Sequence, residues 1–333
     1  MVLSPRSSPI AIHLINPLWN VAGGSEWRTL NLYRLLSQHA QVQLWSEDTP
    51  HRRLIERYPI RRIQVESESF PSSGVFVFVG FYRIPGEWLQ RARPNRVILI
   101  CNTPRDASLG RMQAALSQLC VPIEYVYACE DTRLSVGVPG IVQHSPIDLD
   151  QFRPREVSGP PRADVFRVGR MSRDHPSKHH LPDAELYRRL ARAGCEVALM
   201  GGTALQEAIG SEPGIQVMRA AVEPAATFLG KLDCFYYRTS DHWFETYGRV
   251  VAEAMACGLP VVAHARGGYA DYLEDQTSGF LIRDADEAYA RIMHLKSDRA
   301  HRTAIGRSAR LAMERYHGAE EKAGLLRYYL QGS

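Results

Sequence analysis

Two glutamates, Glu245 and Glu253, stand with seven residues between them in the stretch WFETYGRVVAEAMACGLPVVAHARGG. The residues RVVAEAMAC read as a helix, capped by Gly258 and stopped by Pro260, with PVVA following as a strand. One carboxylate therefore precedes the helix and the other lies two turns inside it. At a helical rise of about 1.5 Å per residue they are separated by about 12 Å at the upper end. A nucleotide sugar has that reach, with a hexose at one end, a charged diphosphate in the middle and a ribose diol beyond. One carboxylate accepts from sugar hydroxyls and the other from ribose hydroxyls, while both avoid the phosphates. If the helix begins near Gly248, its first amides and its dipole favour an anion just after Glu245. The plain alternative is a surface glutamate followed by a helix that happens to carry a second one. Against it, Glu253 sits between Ala252 and Ala254 on a mostly apolar helix, where an unpaired buried carboxylate is costly.

A second cluster lies in FRVGRMSRDHPSKHH, where Arg170 closes an apolar run and Lys178 follows eight residues later. An arginine holds two phosphate oxygens at once, and a lysine adds a compact mobile charge. The chain has only four lysines, Lys178, Lys231, Lys296 and Lys322, so one in a strand-to-helix loop stands out from generic surface decoration. Arg173 is positioned to substitute for either cation, and a solvated basic loop is the alternative. No DxD sequence follows a strand to hold a metal–diphosphate clamp. His179 and His180 lack ligand spacing on one helix face, and no metal is expected. Leaving-group charge would then be met by Arg170, Lys178 and helix N-termini in place of a cation such as magnesium.

The elements that must position these residues are short apolar runs alternating with helical periodicity. IAIHLI, VQLW, RIQV, VFVFV, RVILIC and IEYVYA read as strands, brief and β-branched as buried parallel strands are. SEWRTLNLYRLLSQ and DASLGRMQAALSQL read as helices between them. Prolines, Gly159 and mixed charges interrupt the rhythm across 151–163, an expected interdomain linker. DVFRVG, CEVALM, GIQVM, DCFYY, PVVA and GFLI then read as strands of a second set. The expected organisation is an N-terminal Rossmann-like acceptor domain over 1–150, the linker, and a C-terminal nucleotide-sugar donor domain over 164–312. A C-terminal helix over 313–333 is expected to pack back on the first domain. Two doubly wound α/β domains would place a ligand at the C-terminal edges of the strands and in the cleft between them.

Composition narrows the class further. Hydrophobic residues are 45% and charged residues 23% of the 333, which is globular usage. Forty Lys plus Arg against 36 Asp plus Glu leaves +4, too little for a nucleic-acid footprint. The six cysteines have no CxxC spacing and suit buried thiols in a reducing compartment. The N-terminal MVLSPRSSP has no apolar signal region, and VFVFVGF is too short to cross a bilayer. The chain reads as soluble and cytoplasmic.

Taken in order, these motifs resemble the retaining glycosyltransferases of family 4, which have the GT-B fold. FETYGRVVAEAMACGLPVVA looks like that family's E-x7-E signature, and GGYADYLEDQTSGFLI like the glycine loop and strand after it. HSPIDLDQFRP is similar to its interdomain segment, VGRMSRDHPSK to its Arg…Lys diphosphate pair, and NVAGGSE to its N-terminal glycine loop. The resemblance implies that Glu245 faces the donor hexose and Glu253 the ribose. It also implies that Arg170 and Lys178 neutralise the departing diphosphate. The backbone at Thr246, Tyr247 and Gly248 would bind sugar and phosphate oxygens. Gly23 and Gly24 would admit the diphosphate to the first helix's N-terminus, with an ordinary tight turn as the alternative. AGGSE is not the GxGxxG of a dinucleotide site, which weighs against an oxidoreductase.

The sequence departs from the family pattern in places. SRDHP lengthens the Arg–Lys spacing, so Lys178 is matched less closely than Arg170. Asn102 in ILICNTPRD stands where many members have a histidine beside the sugar. Asp271 stands where glutamate is common, and His144 and Ser145 where an Asn-Gly pair is common.

The implied activity is a metal-independent hexosyl transfer with retention. The donor is a UDP- or GDP-sugar acting as co-substrate, with no cofactor, and the acceptor is a glycan, lipid-linked or small molecule in polysaccharide or glycoconjugate synthesis. The rivals are a GT-B-like epimerase or phosphorylase and a non-catalytic nucleotide- or glycan-binding protein. Arginines cluster in HRRLIERYPIRR and RARPNR. They suit an anionic lipid-linked acceptor and peripheral association with the inner face of a membrane, with a solvated face as the alternative.

Overall fold

The computed structural model describes residues 11–104, 106–155 and 165–330. Most of the expected linker, 156–163, lies outside the described residues, as do Ile10 of the first apolar run and 331–333 of the C-terminal helix. The chain forms two compact units, Met1–Pro146 with Lys322–Ser333, and Ile147–Glu321.

The first unit is built on seven parallel strands: β1 (Ala11–Ile15), β2 (Gln41–Ser46), β3 (Ile60–Arg62), β4 (Ser73–Val79), β5 (Arg93–Cys101), β6 (Ile123–Tyr127) and β7 (Ile141–Val142). Their order is β3-β2-β1-β4-β5-β6-β7, the doubly wound order that reverses direction between β1 and β4. The run VFVFV shows why both faces are covered. Val75, Val77 and Val79 pack with Leu14, Leu30 and Ile98 on one side. Phe76 and Phe78 pack with Trp88 and Val97 on the other. Period-two alternation thus exchanges one hydrophobic type for another, as a strand buried on both faces requires. The C-terminal helix Ala319–Leu330 contributes Tyr329, fully buried in the β1/β4 cluster, and Arg96 donates to the Tyr328 carbonyl at 2.6 Å.

Two details differ from the sequence expectation. The strand expected at RIQV lies earlier, at Ile60–Arg62, because Leu44 to Ser46 of β2 pair with those three residues. Gln64 then turns away into an isolated antiparallel bridge with Ser69. The edge strand β7 is an addition, and two residues are too few to carry a periodic signal.

The second unit contains β8 (Phe166–Met171), β9 (Cys195–Met200), β10 (Ile215–Met218), β11 (Cys234–Tyr237), β12 (Val261–His264) and β13 (Phe280–Ile282). They are ordered β10-β9-β8-β11-β12-β13 and all parallel. The direction of winding reverses between β8 and β11. Cys234 and Tyr236 join the core on one face with Val168, Val197 and Val262. The intervening Phe235 and Tyr237, also buried, point to the other face.

Candidate active site

Loops leaving β8 and β11 meet where the winding of the second sheet reverses, and they carry the two clusters singled out in the sequence. After β8 the chain makes a short 3₁₀ turn, Pro176–Lys178, capped by the His175 side chain accepting from the Ser177 amide. After β11 it runs through 238–248 into the helix Arg249–Ala256. The Ser240 amide donates to the Ser177 carbonyl at 3.1 Å, tying the two loops backbone to backbone.

That tie places Lys178 against Glu245, with Nζ donating to Oε2 at 2.6 Å and the side chains only 8% and 16% exposed. Tyr237 at the end of β11 donates its hydroxyl to the same Oε2 at 2.7 Å. The Lys178 ammonium also lies 4.5 Å from the centroid of the Trp243 ring, a cation–π contact strengthened by exclusion of water. Burial by itself pushes the Glu245 carboxyl up, but the Lys178 ammonium and the two hydrogen bonds overcome it and hold the group below the usual carboxylate range. Burial presses the Lys178 ammonium downward while Glu245 opposes it. The pair is thus a buried, mutually neutralised couple, held in place by a parallel bridge from Glu245 to Gly267.

Arg170, expected to meet a diphosphate directly, is instead sunk to 1% exposure beneath this pair. Its Nη1 donates to the Arg238 carbonyl at 2.8 Å, and its Nη2 donates to the Lys178 carbonyl. With the Tyr237 ring 5.1 Å away, the guanidinium orients both loops by their backbones. The reason is its place inside β8, where side chains enter the sheet's packed face. Arg173, two residues beyond that strand, is half-buried, and its charge reaches Lys178 and Glu245. Around this pair, the buried N–H groups Arg170 Nε, Arg238 Nε and Trp243 Nε1 find no acceptor among the described residues.

Thr246, Tyr247 and Gly248 lead directly into the helix. Gly248 has φ +66°, and its carbonyl accepts from the amides of Val251 and Ala252 at 2.7 and 3.2 Å. A left-handed residue at the N-cap is what lets the chain turn from Glu245 into the helix so abruptly. Tyr272 donates its hydroxyl to the Tyr247 and Gly248 carbonyls at 2.6 and 3.0 Å, and the Tyr247 hydroxyl meets His317 at 3.0 Å. The carbonyl side of this turn is thereby committed to the protein. Inside the helix, Glu253 is buried and pairs with Arg249 at 2.8 Å. Burial raises its carboxyl, with Arg249 acting against that shift.

In the first unit, Gly23 caps the helix Gly24–Leu36 with φ −80°, so its lack of a side chain answers crowding and not backbone geometry. A Cβ there would lie 1.9 Å from the Glu26 carboxylate, whereas one on Gly24 would meet nothing within 4 Å. Glu26 accepts from the Asn20 amide at 3.2 Å and from Ser25 at 2.9 Å. Asn102 follows β5 and accepts from Arg28 at 2.9 Å, and Arg28, 1% exposed, also donates to the Gln143 carbonyl at 2.6 Å.

The geometry thus brings Lys178 and Glu245 together, with Arg170 beneath them, Arg173 beside them and the 246–248 turn adjoining. Gly23, Gly24 and Asn102 belong to the other unit. Tyr237, Trp243 and Arg249 were not singled out from the sequence. Arg249 was legible as the i, i+4 partner of Glu253, whereas Tyr237, inside the apolar run CFYY, reads as core. Among the described residues no group of three or more His, Cys, Asp or Glu is placed to hold a metal ion, and no helix is long and apolar enough to cross a membrane.

Parts of the chain are similar to known proteins. Residues 162–298 match the family model described as glycosyl transferases group 1. A D-inositol 3-phosphate glycosyltransferase of Frankia alni is 31% identical over 199 residues, 49% of this chain and 44% of its own length. A GDP-Man:Man(3)GlcNAc(2)-PP-Dol alpha-1,2-mannosyltransferase of Xenopus laevis is 28% identical over 218 residues, 60% of this chain and 44% of its own. The chain spans less than half the length of both relatives. Anabaena HepE, solved with UDP-glucose, superposes with a TM-score of 0.73 over 96% of this chain and 98% of its own at 13% identity. WaaG, a glycosyltransferase involved in lipopolysaccharide biosynthesis, gives 0.68 over 96% and 100% at 12% identity. The fold class is GT-B, and the 162–298 segment is similar to the group 1 glycosyltransferases.

Proposed function

We propose that this chain transfers a hexose, with retention of configuration, from a nucleoside diphosphate sugar to a glycan, lipid-linked or small-molecule acceptor. The observation that carries this is the buried Lys178–Glu245 pair at the reversal of the second sheet, inside the segment that matches the group 1 glycosyltransferases. A donor with an anionic centre and a hydroxyl-bearing end replaces that internal pair with two external ones. Phosphate oxygens accept from Lys178, and hexose hydroxyls donate to Glu245. Neither group is left buried without a partner, which would cost several kcal/mol, on the order of 3–5.

Each remaining residue takes a role set by its place. Arg170 holds the Lys178 and Arg238 carbonyls and so aims the lysine. Arg173 adds charge to the departing diphosphate, and the amides of the 246–248 turn bind sugar and phosphate oxygens at a helix mouth. Glu253 accepts from the ribose hydroxyls. Gly23 and Gly24 admit the diphosphate to the N-terminus of the first helix, and Asn102 serves the acceptor side. In the front-face displacement we favour, the bond from the anomeric carbon to the diphosphate oxygen breaks as the acceptor oxygen arrives on the same face. The acceptor's proton passes to the departing diphosphate. These cations and amides supply the charge stabilisation, so no metal ion is required. The donor is a UDP- or GDP-sugar, the former supported by the UDP-glucose complex of HepE. The expected setting is cytoplasmic, with peripheral association at the inner face of a membrane where the acceptor is lipid-linked.

Calorimetric titration with UDP, GDP and their hexose conjugates tests the proposal. At least one conjugate should bind to wild type, and its affinity should fall about tenfold or more in Lys178→Ala and in Glu245→Gln. If no nucleotide binds, or if both variants bind as wild type does, the proposal fails.

A further inference from the structure

Loops leaving β1 and β4 meet where the first sheet reverses its winding, the place at which an open α/β sheet offers a crevice. Among the described residues of that unit, the exposed aromatic residues are Trp19 at 44% and Tyr82 at 39%, and one stands in each of these two loops. Their exposure is built in. Leu18 adopts φ 55° and is fully buried, with its amide donating to Asn16 Oδ1 at 2.9 Å, while Asn16 Nδ2 donates to the Val79 carbonyl at 2.7 Å. That left-handed turn sends Leu18 inward and Trp19 out. In the other loop Gly80 has φ +88°, and the Tyr82 ring lies so close over it that a Cβ would sit 2.2 Å from the ring.

The loop after β2 ties together the two loops that carry these aromatic residues. Asp48 accepts from Arg83, the neighbour of Tyr82, at 2.7 Å, and the His51 amide donates to the carbonyl of Leu18, the neighbour of Trp19, at 2.8 Å. Glu47 accepts from the Gly86 amide at 3.0 Å and from Trp88 Nε1 at 2.5 Å, pinning the far end of the loop that carries Tyr82. The Asp48 and Arg83 side chains remain 26% and 54% exposed.

We infer that Trp19, Tyr82, Asp48 and Arg83 form a subsite for the ring of a pyranose or cyclic polyol, the acceptor of the transfer proposed above. Such a ring has an apolar C–H face and a polar hydroxyl rim. Aromatic faces cover the first, and a carboxylate beside a guanidinium accepts from and donates to the second. Fixing the loops beforehand lowers the ordering cost of binding a weakly held sugar. Trp and Tyr also mark bilayer interfaces, but a carboxylate on the loop beside them, as Asp48 is, opposes anionic headgroups. Only the ring's role as acceptor rests on the transferase reading. The subsite itself does not.

The test titrates the full chain with methyl α-D-glucopyranoside, methyl α-D-mannopyranoside, methyl β-D-galactopyranoside and myo-inositol, followed by indole emission and proton saturation transfer. At least one probe should give a saturable response. Its apparent Kd should weaken about tenfold in Trp19→Leu and in Tyr82→Leu, with UDP and GDP affinities unchanged in both variants. Both side chains are exposed, and thermal melts matching wild type confirm that the variants are folded. The inference is overturned if no probe binds, if binding survives both substitutions, or if Trp19 responds only to phosphatidylglycerol vesicles. Ring binding that depends on Trp19 in a protein with no nucleotide affinity would uphold the subsite while removing the transferase reading.

Discussion

Removing the Lys178 ammonium leaves Glu245 governed by burial. In wild type the carboxyl is held below its ordinary range, so its stabilising contribution is complete above the unfolded pKa and is lost as pH falls through the folded one. In Lys178→Met the shift reverses to upward, and ionising Glu245 then opposes folding as pH rises. The stability gap between wild type and variant should therefore be small in acid and widen through the carboxylate range. At neutral pH it should reach about 3–5 kcal/mol. Denaturant melts between pH 4 and 7 measure it, and a gap that does not change with pH would refute the pairing. The residue types were legible here and their contact was not. Nothing in the spacing of Lys178 and Glu245 says that they touch, because the tie between their loops is the backbone bond from Ser240 to Ser177.

At the scale of elements, the helix Arg249–Ala256 owes its position to Gly248. A Cβ there would lie 2.5 Å from the Tyr269 ring at a φ of +66°. Gly248→Ala should cost about 1–3 kcal/mol and weaken donor binding further, since the turn's amides would move. Gly24→Ala is the informative contrast, because its Cβ meets nothing within 4 Å. Stability there should stay within about 0.5 kcal/mol of wild type. Donor affinity should still fall if a diphosphate approaches that helix mouth closely. Calorimetry on both variants separates the two effects. The sequence foretold this helix and its glycine stop from local rules. It misplaced the strand at Ile60–Arg62 because an edge strand's bounds follow its partner's register, here Leu44 to Ser46.

For the whole molecule, the prediction concerns charge and ligand together. With Lys178, Arg173 and helix amides as the proposed counter-charges, turnover should survive excess EDTA, and a donor assay with and without chelator measures this. Loss of activity restored by magnesium would overturn the metal-independent mechanism. A nucleotide at about a hundred times its Kd should raise stability by about 2.7 kcal/mol, visible as a thermal shift.

From its sequence alone the protein could be given its class. Buried parallel strands must be short and apolar, helices announce themselves by period and stops, and the order of these elements is the order of the chain. The carboxylates, cations and glycines with chemical potential were named for the same reason, since residue type and local spacing are one-dimensional properties. Tertiary structure alone decided which of them meet. It sank Arg170 beneath the pair it was expected to join, enlisted Tyr237 from a run that reads as core, and brought Trp19 and Tyr82, more than sixty residues apart, onto loops tied together by the one after β2. Contacts between loops depend on how a sheet reverses and how backbones cross, and no local pattern records that.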